Sequence, residues 1–163
     1  MDVEMTVEPP SPTPPLPWYG SCQCGQVRIT LHQAPLTLYA CHCLDCQKQS
    51  SSAFGMSMRV RRAALVLEGD VAVRKRDVGK SNEVHGHFCP SCGCRIMHSR
   101  PSNGETVNIK AGILDDTSHL QVAGHLWVSR KQPWVQLDPS LPSYDKQPAD
   151  YCELIERYKS ISS

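Results

Sequence analysis

Eight of the nine cysteines lie in three short runs, and this grouping restricts the fold more than any other feature of the sequence. The runs are Cys22-Gln-Cys24, Cys41-His-Cys43-Leu-Asp-Cys46 and Cys89-Pro-Ser-Cys92-Gly-Cys94. Thiolates one to three residues apart can converge on one ion at about 2.3 Å from each sulfur, whereas such close neighbours seldom pair as disulfides. The pattern therefore predicts metal-binding knuckles, with zinc as the favoured metal.

The first and third runs can build a closed metal site. Cys22 and Cys24, together with Cys89 and Cys92, supply four thiolates, which form a complete tetrahedral shell for zinc. Such a shell leaves no position for water or substrate. This site is therefore predicted to hold a structural zinc that ties the first strand to the middle of the chain.

The middle run predicts a second zinc site of a different kind. Cys41, Cys43 and Cys46 occupy three corners of a tetrahedron, and the fourth ligand must come from elsewhere. If Cys94 supplies it, the second zinc is structural as well; if it does not, the fourth corner is free for a substrate or water. A zinc with three thiolates has a net charge of about −1 and suits a soft sulfur nucleophile better than it suits the ionisation of water. The sequence leaves both alternatives open.

The bulk properties restrict the partners and the location. The chain has 163 residues and a formal charge of +1, so no whole-chain field draws it to nucleic acid or to an anionic membrane. Balanced charge favours a small-molecule or protein partner, and the open corner of a three-thiolate zinc favours a small-molecule thiol or carbonyl substrate. Nothing in the sequence specifies the oligomeric state. No apolar run reaches the roughly 20 residues of a membrane span, and residues 1–18 lack the basic start and apolar core of a signal peptide. A cytoplasmic or nuclear location, where thiols stay reduced, is therefore expected.

The composition divides the chain into three parts. Residues 1–19 are dense in proline and predict a flexible, extended N-terminal arm. Residues 20–148 contain all three cysteine runs and predict the zinc-binding domain. Residues 149–163 predict a C-terminal helix with a short tail.

The domain is predicted to be mainly β. Alternating apolar and polar residues bounded by turn residues indicate short strands. These strands are expected at 26–31, 54–60, 64–67, 71–73, 106–110, 120–122 and 125–128. Residues 68–70 and 103–104 contain glycine between such runs and predict tight hairpin turns, so antiparallel pairing is expected.

Two segments are predicted to be helical. One is a short turn that follows Cys43 and runs to Gln49. The other covers 149–161, where Asp150 can cap the helix with Glu153 three residues further on. Its apolar residues follow the i, i+3, i+4, i+7 spacing of an amphipathic helix and are Tyr151, Leu154, Ile155 and Tyr158.

Other reactive or apolar residues are interpreted as structural. His42 lies between two candidate ligands, but strand alternation points its ring away from them, which favours packing and leaves a catalytic role as the alternative. Cys152 lies in the predicted helix beside its apolar stripe. Core packing is favoured over the lining of a pocket for Phe54, Met56, Trp127 and Trp134.

Five short segments form a specific combination along the chain. They are Gly20-Ser-Cys22-Gln-Cys24-Gly25, Cys41-His-Cys43-Leu-Asp-Cys46-Gln-Lys, Ser52-Ala-Phe-Gly55, Phe88-Cys89-Pro-Ser-Cys92-Gly93 and Ala111-Gly-Ile-Leu-Asp-Asp116. With the closing segment His125-Leu-Trp-Val-Ser-Arg-Lys-Gln-Pro-Trp134, they resemble the glutathione-dependent formaldehyde-activating enzyme family, whose domain is shared with centromere protein V. The similarity runs from about Gly20 to Pro148.

The resemblance implies a fold, a reaction and a division of the ligands. The implied fold is Mss4-like and mainly β, with short antiparallel sheets around the zinc. Cys22, Cys24, Cys89 and Cys92 match the family's structural zinc ligands, and Cys41, Cys43 and Cys46 match its catalytic zinc ligands. The implied activity is that of a carbon–sulfur lyase, the reversible condensation of glutathione with formaldehyde to S-(hydroxymethyl)glutathione. Zinc would hold the thiol as a thiolate or polarise the carbonyl.

Two departures keep alternatives open. Cys94 stands where many family members have no thiol, and the sequence shows no residue set that would bind the carboxylates of glutathione. The candidate cations are Arg28, Arg59, Lys110 and Arg130. One alternative is a related enzyme that acts on a different small carbonyl compound without glutathione. Another is a non-catalytic zinc module that binds a protein or chromatin through the basic segments 59–62 and 74–76.

Overall fold

The computed structural model describes residues 9–77 and 83–162, and these residues form a mainly β fold with two α-helices. The strands are β1 Trp18–Ser21, β2 Arg28–Leu31, β3 Thr37–Cys41, β4 Gly55–Arg61, β5 Leu65–Glu68, β6 Ala72–Asp77, β7 Glu83–Phe88, β8 Arg95–Arg100, β9 Asn103–Lys110, β10 His125–Leu126 and β11 Ser143–Tyr144. The helices are α1 Leu44–Ser50 and α2 Cys152–Ile161. The predicted fold class, mainly β with a C-terminal helix, is confirmed.

The strands form two sheets. A three-stranded antiparallel sheet has the order β1-β2-β5, and an eight-stranded sheet has the order β11-β10-β3-β4-β9-β8-β7-β6. The prediction of antiparallel pairing is confirmed for the six strands that lie side by side in the order β3-β4-β9-β8-β7-β6. At the other edge the two-residue strand β10 pairs in parallel with both β3 and β11. The larger sheet is therefore mixed.

The central row of the core lies on one face of the larger sheet. Leu38, Met58, Ile109 and Met97 stand opposite one another on four neighbouring strands, and each is at most 3% exposed. Burial of an apolar side chain of this size contributes about 1.5–3 kcal/mol relative to its exposure. The row fixes the register of the central strands, because a shift by one residue would turn every side chain to the opposite face.

One predicted hairpin is wrong, although its glycine is used. β5 belongs to the three-stranded sheet and β6 to the eight-stranded sheet, so the segment between them crosses from one sheet to the other. Gly69 has a φ of 92°, and a Cβ atom there would collide with the carbonyl group of Gln26. Glycine is required at this position because the chain passes close to the β1–β2 connection.

The hairpin near residue 103 is confirmed, with a different turn. β8 and β9 pair antiparallel, and Arg100 stands opposite Asn103, so Pro101 and Ser102 form the turn. The strand predicted at 120–122 is absent, and the one at 125–128 ends after Leu126. Trp127 has a φ of 59°, which ends the strand and begins a 3₁₀ turn.

The C-terminal helix begins later than the predicted residue 149. The Asp150 Oδ1 atom accepts a hydrogen bond of 2.8 Å from the backbone N–H of Cys152. The N-cap of the helix is nevertheless Tyr151, which makes no side-chain cap bond, so the predicted capping by Asp150 is wrong by one residue. The Oε2 atom of Glu153 instead accepts a hydrogen bond from the hydroxyl of Tyr144, so no reciprocal capping box forms. The Oγ1 atom of Thr37 donates a bond of 3.0 Å to the carbonyl of Leu154, which fastens α2 to β3.

Part of the predicted N-terminal arm, residues 1–8, lies outside the described residues, as does residue 163 of the predicted tail. The boundaries predicted for the arm, the domain and the tail stay predictions. In the described ranges neither helix combines the length and the apolar composition that crossing a bilayer requires.

Candidate metal centres

The first candidate centre is the four-cysteine group of Cys22, Cys24, Cys89 and Cys92. Two of these residues lie in the connection between β1 and β2, and the other two lie in the connection between β7 and β8. All four Sγ atoms lie within 4.8 Å of one another. The group therefore joins a hairpin of the smaller sheet to a hairpin of the larger one.

The two connections of this group have the same backbone design. Gly25 follows the second cysteine of one with a φ of 78°, and Gly93 follows the second cysteine of the other with a φ of 74°. Gly25 donates its N–H to the carbonyl of Cys22, and Gly93 donates to the carbonyl of Cys89, both at 2.9 Å. The left-handed glycine closes each turn so that both of its thiols face one point.

The spacing of the sulfur atoms fits zinc. The Sγ atom of Cys24 lies 3.5 Å from that of Cys22 and 3.7 Å from that of Cys89. Bonds of about 2.3 Å to a tetrahedral zinc would place sulfurs about 3.8 Å apart. The backbone N–H of Val27 also donates to the Cys22 Sγ at 3.2 Å. Burial opposes the ionisation of Cys22, but this bond and the neighbouring thiols lower its pKa to about 6.

The second candidate centre is the three-cysteine group of Cys41, Cys43 and Cys46, whose Sγ atoms also lie within 4.8 Å of one another. Cys41 is the last residue of β3, Cys43 caps the N-terminus of α1, and Cys46 lies in the first turn of that helix. The backbone N–H of Cys46 donates to the Cys43 Sγ at 3.3 Å. One strand end and one helix start thus bring the three thiols together.

Gly55 makes room for the three-cysteine group. It stands opposite Cys41 in the β3–β4 pair, and a Cβ atom at this position would lie 3.3 Å from the Cβ of Cys46. That distance is tighter than ordinary van der Waals contact. Sequence reasoning included Gly55 in a family motif but gave it no role at the site, because only the strand register shows what the glycine faces.

The three thiols differ in how readily they lose their protons. Hydrogen bonds from Cys41 and Cys46 lower the pKa of Cys43 to about 2, whereas bonds to Cys43 and Cys46 raise the pKa of Cys41 well above its usual range. One thiolate and two protonated thiols form a soft donor set. A divalent cation can bind to it when the two thiols release their protons. The donors therefore fit zinc at this group as well.

Cys94 is not part of the three-cysteine group. Its Sγ lies 3.8 Å from the carbonyl oxygen of Arg95, and its pKa is raised by burial and by the neighbouring charges of Cys92, Cys22 and Cys89. Cys94 therefore lies beside the four-cysteine group. Within residues 9–77 and 83–162, no fourth histidine, cysteine or carboxylate joins the three thiols. The geometry gives no support to Cys94 as the fourth ligand, and that role stays a prediction.

His42 is buried in the core, as its position in the strand pattern suggested. Its Nε2 lies 3.1 Å from the Nδ1 of His125, and its ring centre lies 5.3 Å from that of Phe54. Burial, followed by the charges of His125 and Lys131, lowers the pKa of His42 to about 4. The ring is therefore neutral near pH 7, and it packs behind the three-cysteine group.

A loop after β10 packs against α1. The side-chain amide of Gln47 donates to the carbonyls of His42 and Arg130 at 2.8 and 2.9 Å, and Gln132 donates to Gln47 at 3.1 Å. Trp134, in the middle of this loop, is 71% exposed, so the core packing predicted for it is wrong. The loop packs beside the helix that carries Cys46, and its Trp134 side chain extends into solvent.

A cavity of about 460 Å³ lies on the smaller sheet, away from the three-cysteine group. Its lining includes Tyr19, Arg28, Glu68 and Asp115, and it contains no cysteine of either group. The position of Arg28 in this cavity separates it from the candidate catalytic metal.

The comparison with protein families decides what kind of protein this is. A family model described as glutathione-dependent formaldehyde-activating enzyme matches residues 17–130. The chain belongs to this family. The residues that match the glutathione-dependent formaldehyde-activating enzyme model include both cysteine groups and end before α2.

The other comparisons add less. No curated protein matches the chain significantly. A crystal structure of a Rhodobacter sphaeroides protein is similar at 23% sequence identity, with a TM-score of 0.49, over 61% of this chain and 89% of the solved one.

Proposed function

We propose that the protein is a zinc-dependent carbon–sulfur lyase that acts on a small thiol and carbonyl adduct at the three-cysteine group. The observation that carries this proposal is the number of ligands. Three thiols converge there, and no fourth protein donor joins them among the described residues. A zinc held in this way keeps one coordination position for a reactant, which is the arrangement of catalytic zinc sites. Family membership supports the same reaction class.

In this proposal the four-cysteine group holds a structural zinc. Its four thiols complete a tetrahedral shell, and its two turns join the two sheets. The three-cysteine group holds the catalytic zinc. Zinc there would supply a Lewis acid that keeps a substrate thiol ionised near pH 7. Cys43 and Cys46 are fixed for this purpose by the first turn of α1, and Cys41 is fixed by β3.

The reaction needs no oxidant or reductant. The sulfur of the thiol forms a bond to the carbonyl carbon, the carbon–oxygen π bond opens, and the proton lost by the thiol reaches the carbonyl oxygen. The reverse reaction breaks the carbon–sulfur bond and returns the thiol and the aldehyde. Glutathione and formaldehyde are the reactants we propose first, with glutathione as a co-substrate. A different small carbonyl compound at the same zinc is the alternative.

The chemistry also favours a reducing location. All nine cysteines are free thiols, and both groups need their thiols reduced to bind metal. We therefore propose the cytoplasm or the nucleus.

Three of the six cations in the basic segments considered for chromatin binding are engaged within the fold, whereas Arg61, Arg74 and Lys75 are exposed. The guanidinium of Arg59 lies 4.6 Å from the ring centre of Tyr151, and Arg62 donates to the carbonyl of Leu65 at 3.1 Å. Arg76 pairs with Asp45. Cations held in this way are less free to contact phosphates, which supports a small-molecule function over nucleic-acid binding.

The test is the exchange between ¹³C-formaldehyde and S-(hydroxymethyl)glutathione, followed by NMR with the zinc-loaded protein. A sample without protein is the control, because the adduct also forms spontaneously. Exchange well above that background supports the lyase. Exchange equal to the background contradicts the glutathione and formaldehyde assignment.

A further inference from the structure

A row of polar side chains continues from the three-cysteine group along the larger sheet. Residues two apart on a strand share a face, and so do residues directly opposite each other on neighbouring strands. Gly55 packs against Cys46, and Ser57 is two residues further along β4. Ser57 stands opposite Lys110 at the end of β9. Lys110 therefore extends from the same face of the sheet that holds Cys46.

The row continues on the next strand of the sheet. Asn108 is two residues before Lys110 on β9 and stands opposite His98 on β8. The Oδ1 atom of Asn108 accepts a bond of 3.2 Å from the hydroxyl of Tyr39, so its side chain is on this face. His98 is therefore on the same face as Lys110.

A bulge adds Arg95 to the row. The β7–β8 register shifts between His87 and Phe88, and Arg95 stands next to this irregularity. The Nη2 atom of Arg95 lies 2.6 Å from the place that a Cβ on Gly86 would occupy. Gly86 stands opposite His98, so the guanidinium group reaches the face that carries His98 and Lys110. Without the bulge, strand alternation would turn this side chain to the other face.

The cations of this row lack carboxylate partners. Within the described ranges, neither Lys110 nor Arg95 forms an ion pair. Asp45, on α1, is paired with Arg76. Burial lowers the pKa values of both Lys110 and Arg95. The charge of Arg95 lowers the pKa of Lys110 further, and the charge of Arg76 lowers the pKa of Arg95 further. The Cys46 thiol opposes both shifts. The nearest negative charge to both cations is that of the three-cysteine group. Two cations beside a three-thiolate zinc with a net charge of about −1 leave one positive charge unmatched, which favours the binding of an anion.

Polar atoms on the same face also lack hydrogen-bond partners. The Oγ atom of Ser57 is buried with no partner, and the residue is only 1% exposed. The Nε atom of Arg95 is likewise buried without a partner. Buried polar groups are nearly always hydrogen-bonded in folded proteins. A bound ligand with acceptor oxygens would satisfy them.

We propose that Lys110, Arg95, Ser57 and His98 form a binding site for a carboxylate group beside the three-cysteine group. This inference rests on the proposed function, because it defines the substrate further as a small thiol, or its carbonyl adduct, that carries a carboxylate. Arg95 and Lys110 neutralise the carboxylate, Ser57 donates a hydrogen bond, and His98 forms the wall between the two cations.

The test compares 3-mercaptopropionate with its methyl ester and with propionate, using the full chain. Binding of the thiols to the metal is followed by the sulfur-to-metal charge-transfer band of the cobalt-substituted protein. Binding of the carboxylate is followed by the NMR signals of the His98 ring in the zinc-loaded protein. We expect the acid to bind at least about tenfold more tightly than the ester, as the loss of a charge-assisted hydrogen bond requires.

Variants locate the effect. Lys110→Met and Arg95→Met should each reduce the preference for the acid to about twofold or less. Lys75→Met is the matched control, because it removes one exposed cation from β6 on the opposite face of the sheet and should leave the preference unchanged. The comparison of acid with ester in the unaltered protein needs no variant to fold.

The outcomes separate this inference from the proposed function. Equal affinity for the acid and the ester, with a normal cobalt band, would overturn the carboxylate site and leave thiol binding at the metal intact. Propionate binding that is lost in Lys110→Met, without any thiol-dependent cobalt band, would support the carboxylate site and contradict thiol chemistry. If neither readout responds to any of the three compounds, both proposals are wrong.

Discussion

At the scale of single residues, Cys43 has two roles that a substitution can separate. It is one of three clustered thiols, and its sulfur also accepts the N–H of Cys46 as the cap of α1. Serine is a good helix cap but a poor zinc ligand. We expect Cys43→Ser to keep its far-UV circular dichroism, to bind one zinc in place of two, and to lose lyase activity to the no-protein background.

The zinc content, measured by elemental mass spectrometry, checks this expectation. Cys152→Ser is the control, because Cys152 is an exposed thiol of α2 outside both groups. It should keep two zinc ions. A Cys43→Ser protein with two tightly bound zinc ions would contradict the ligand assignment.

Gly55 gives a second prediction at this scale. An alanine there would place its Cβ 3.3 Å from the Cβ of Cys46, so this ligand or β4 must move by a few tenths of an ångström. Changes next to a metal ligand typically weaken the metal affinity 10- to 100-fold, roughly. We expect Gly55→Ala to weaken one zinc by about tenfold in competition with a chromophoric chelator. Gly112→Ala, where a Cβ meets nothing within 4 Å, should leave both affinities unchanged.

At the scale of elements, the turns of the four-cysteine group depend on backbone conformation. Gly93 has a φ of 74°, and a Cβ there would meet nothing within 4 Å. The cost of Gly93→Ala is therefore conformational, and it should lower the free energy of unfolding by about 1–2 kcal/mol. Urea unfolding of the zinc-loaded protein measures it. Gly104→Ala, which also has free space but no positive φ, is the control, and an equal loss in both variants would contradict the explanation.

The elements differ in how far the sequence predicts them. α2 has an apolar stripe, and it forms within a few residues of the expected place. β3 was not predicted, because all five of its residues are buried and the alternation of a half-exposed strand is missing. α2 packs against β3, and β4 and β10 pair with its edges. A strand surrounded in this way has no polar face to reveal it.

At the scale of the whole molecule, local spacing predicted the metal groups better than the rest of the site. The three-cysteine group comes from six consecutive residues, so a strand end and a helix turn suffice to assemble it. Lys110 and Arg95 reach the same face only through the register of four strands and a bulge. Neither register nor bulge follows from composition or alternation, and only Lys110 was among the candidate cations.

The removal of metal should occur in two stages. The three-cysteine group would hold a zinc by three protein ligands, whereas the four-cysteine group would hold one by four and joins two sheets. An increasing concentration of chelator should therefore first remove the zinc of the three-cysteine group, with a loss of activity and no change in far-UV circular dichroism. The zinc of the four-cysteine group should leave later, together with the cooperative unfolding transition, because binding to the four-cysteine group is coupled to folding.

The Cys43→Ser variant tests which ion leaves first. It lacks one ligand of the three-cysteine group, so it should show only the second stage, at the same chelator concentration as the unaltered protein. Its remaining zinc should leave only when the fold is lost. Loss of structure with the first zinc, or an early stage that persists in Cys43→Ser, would show that the four-cysteine group is not the one that stabilises the junction between the sheets.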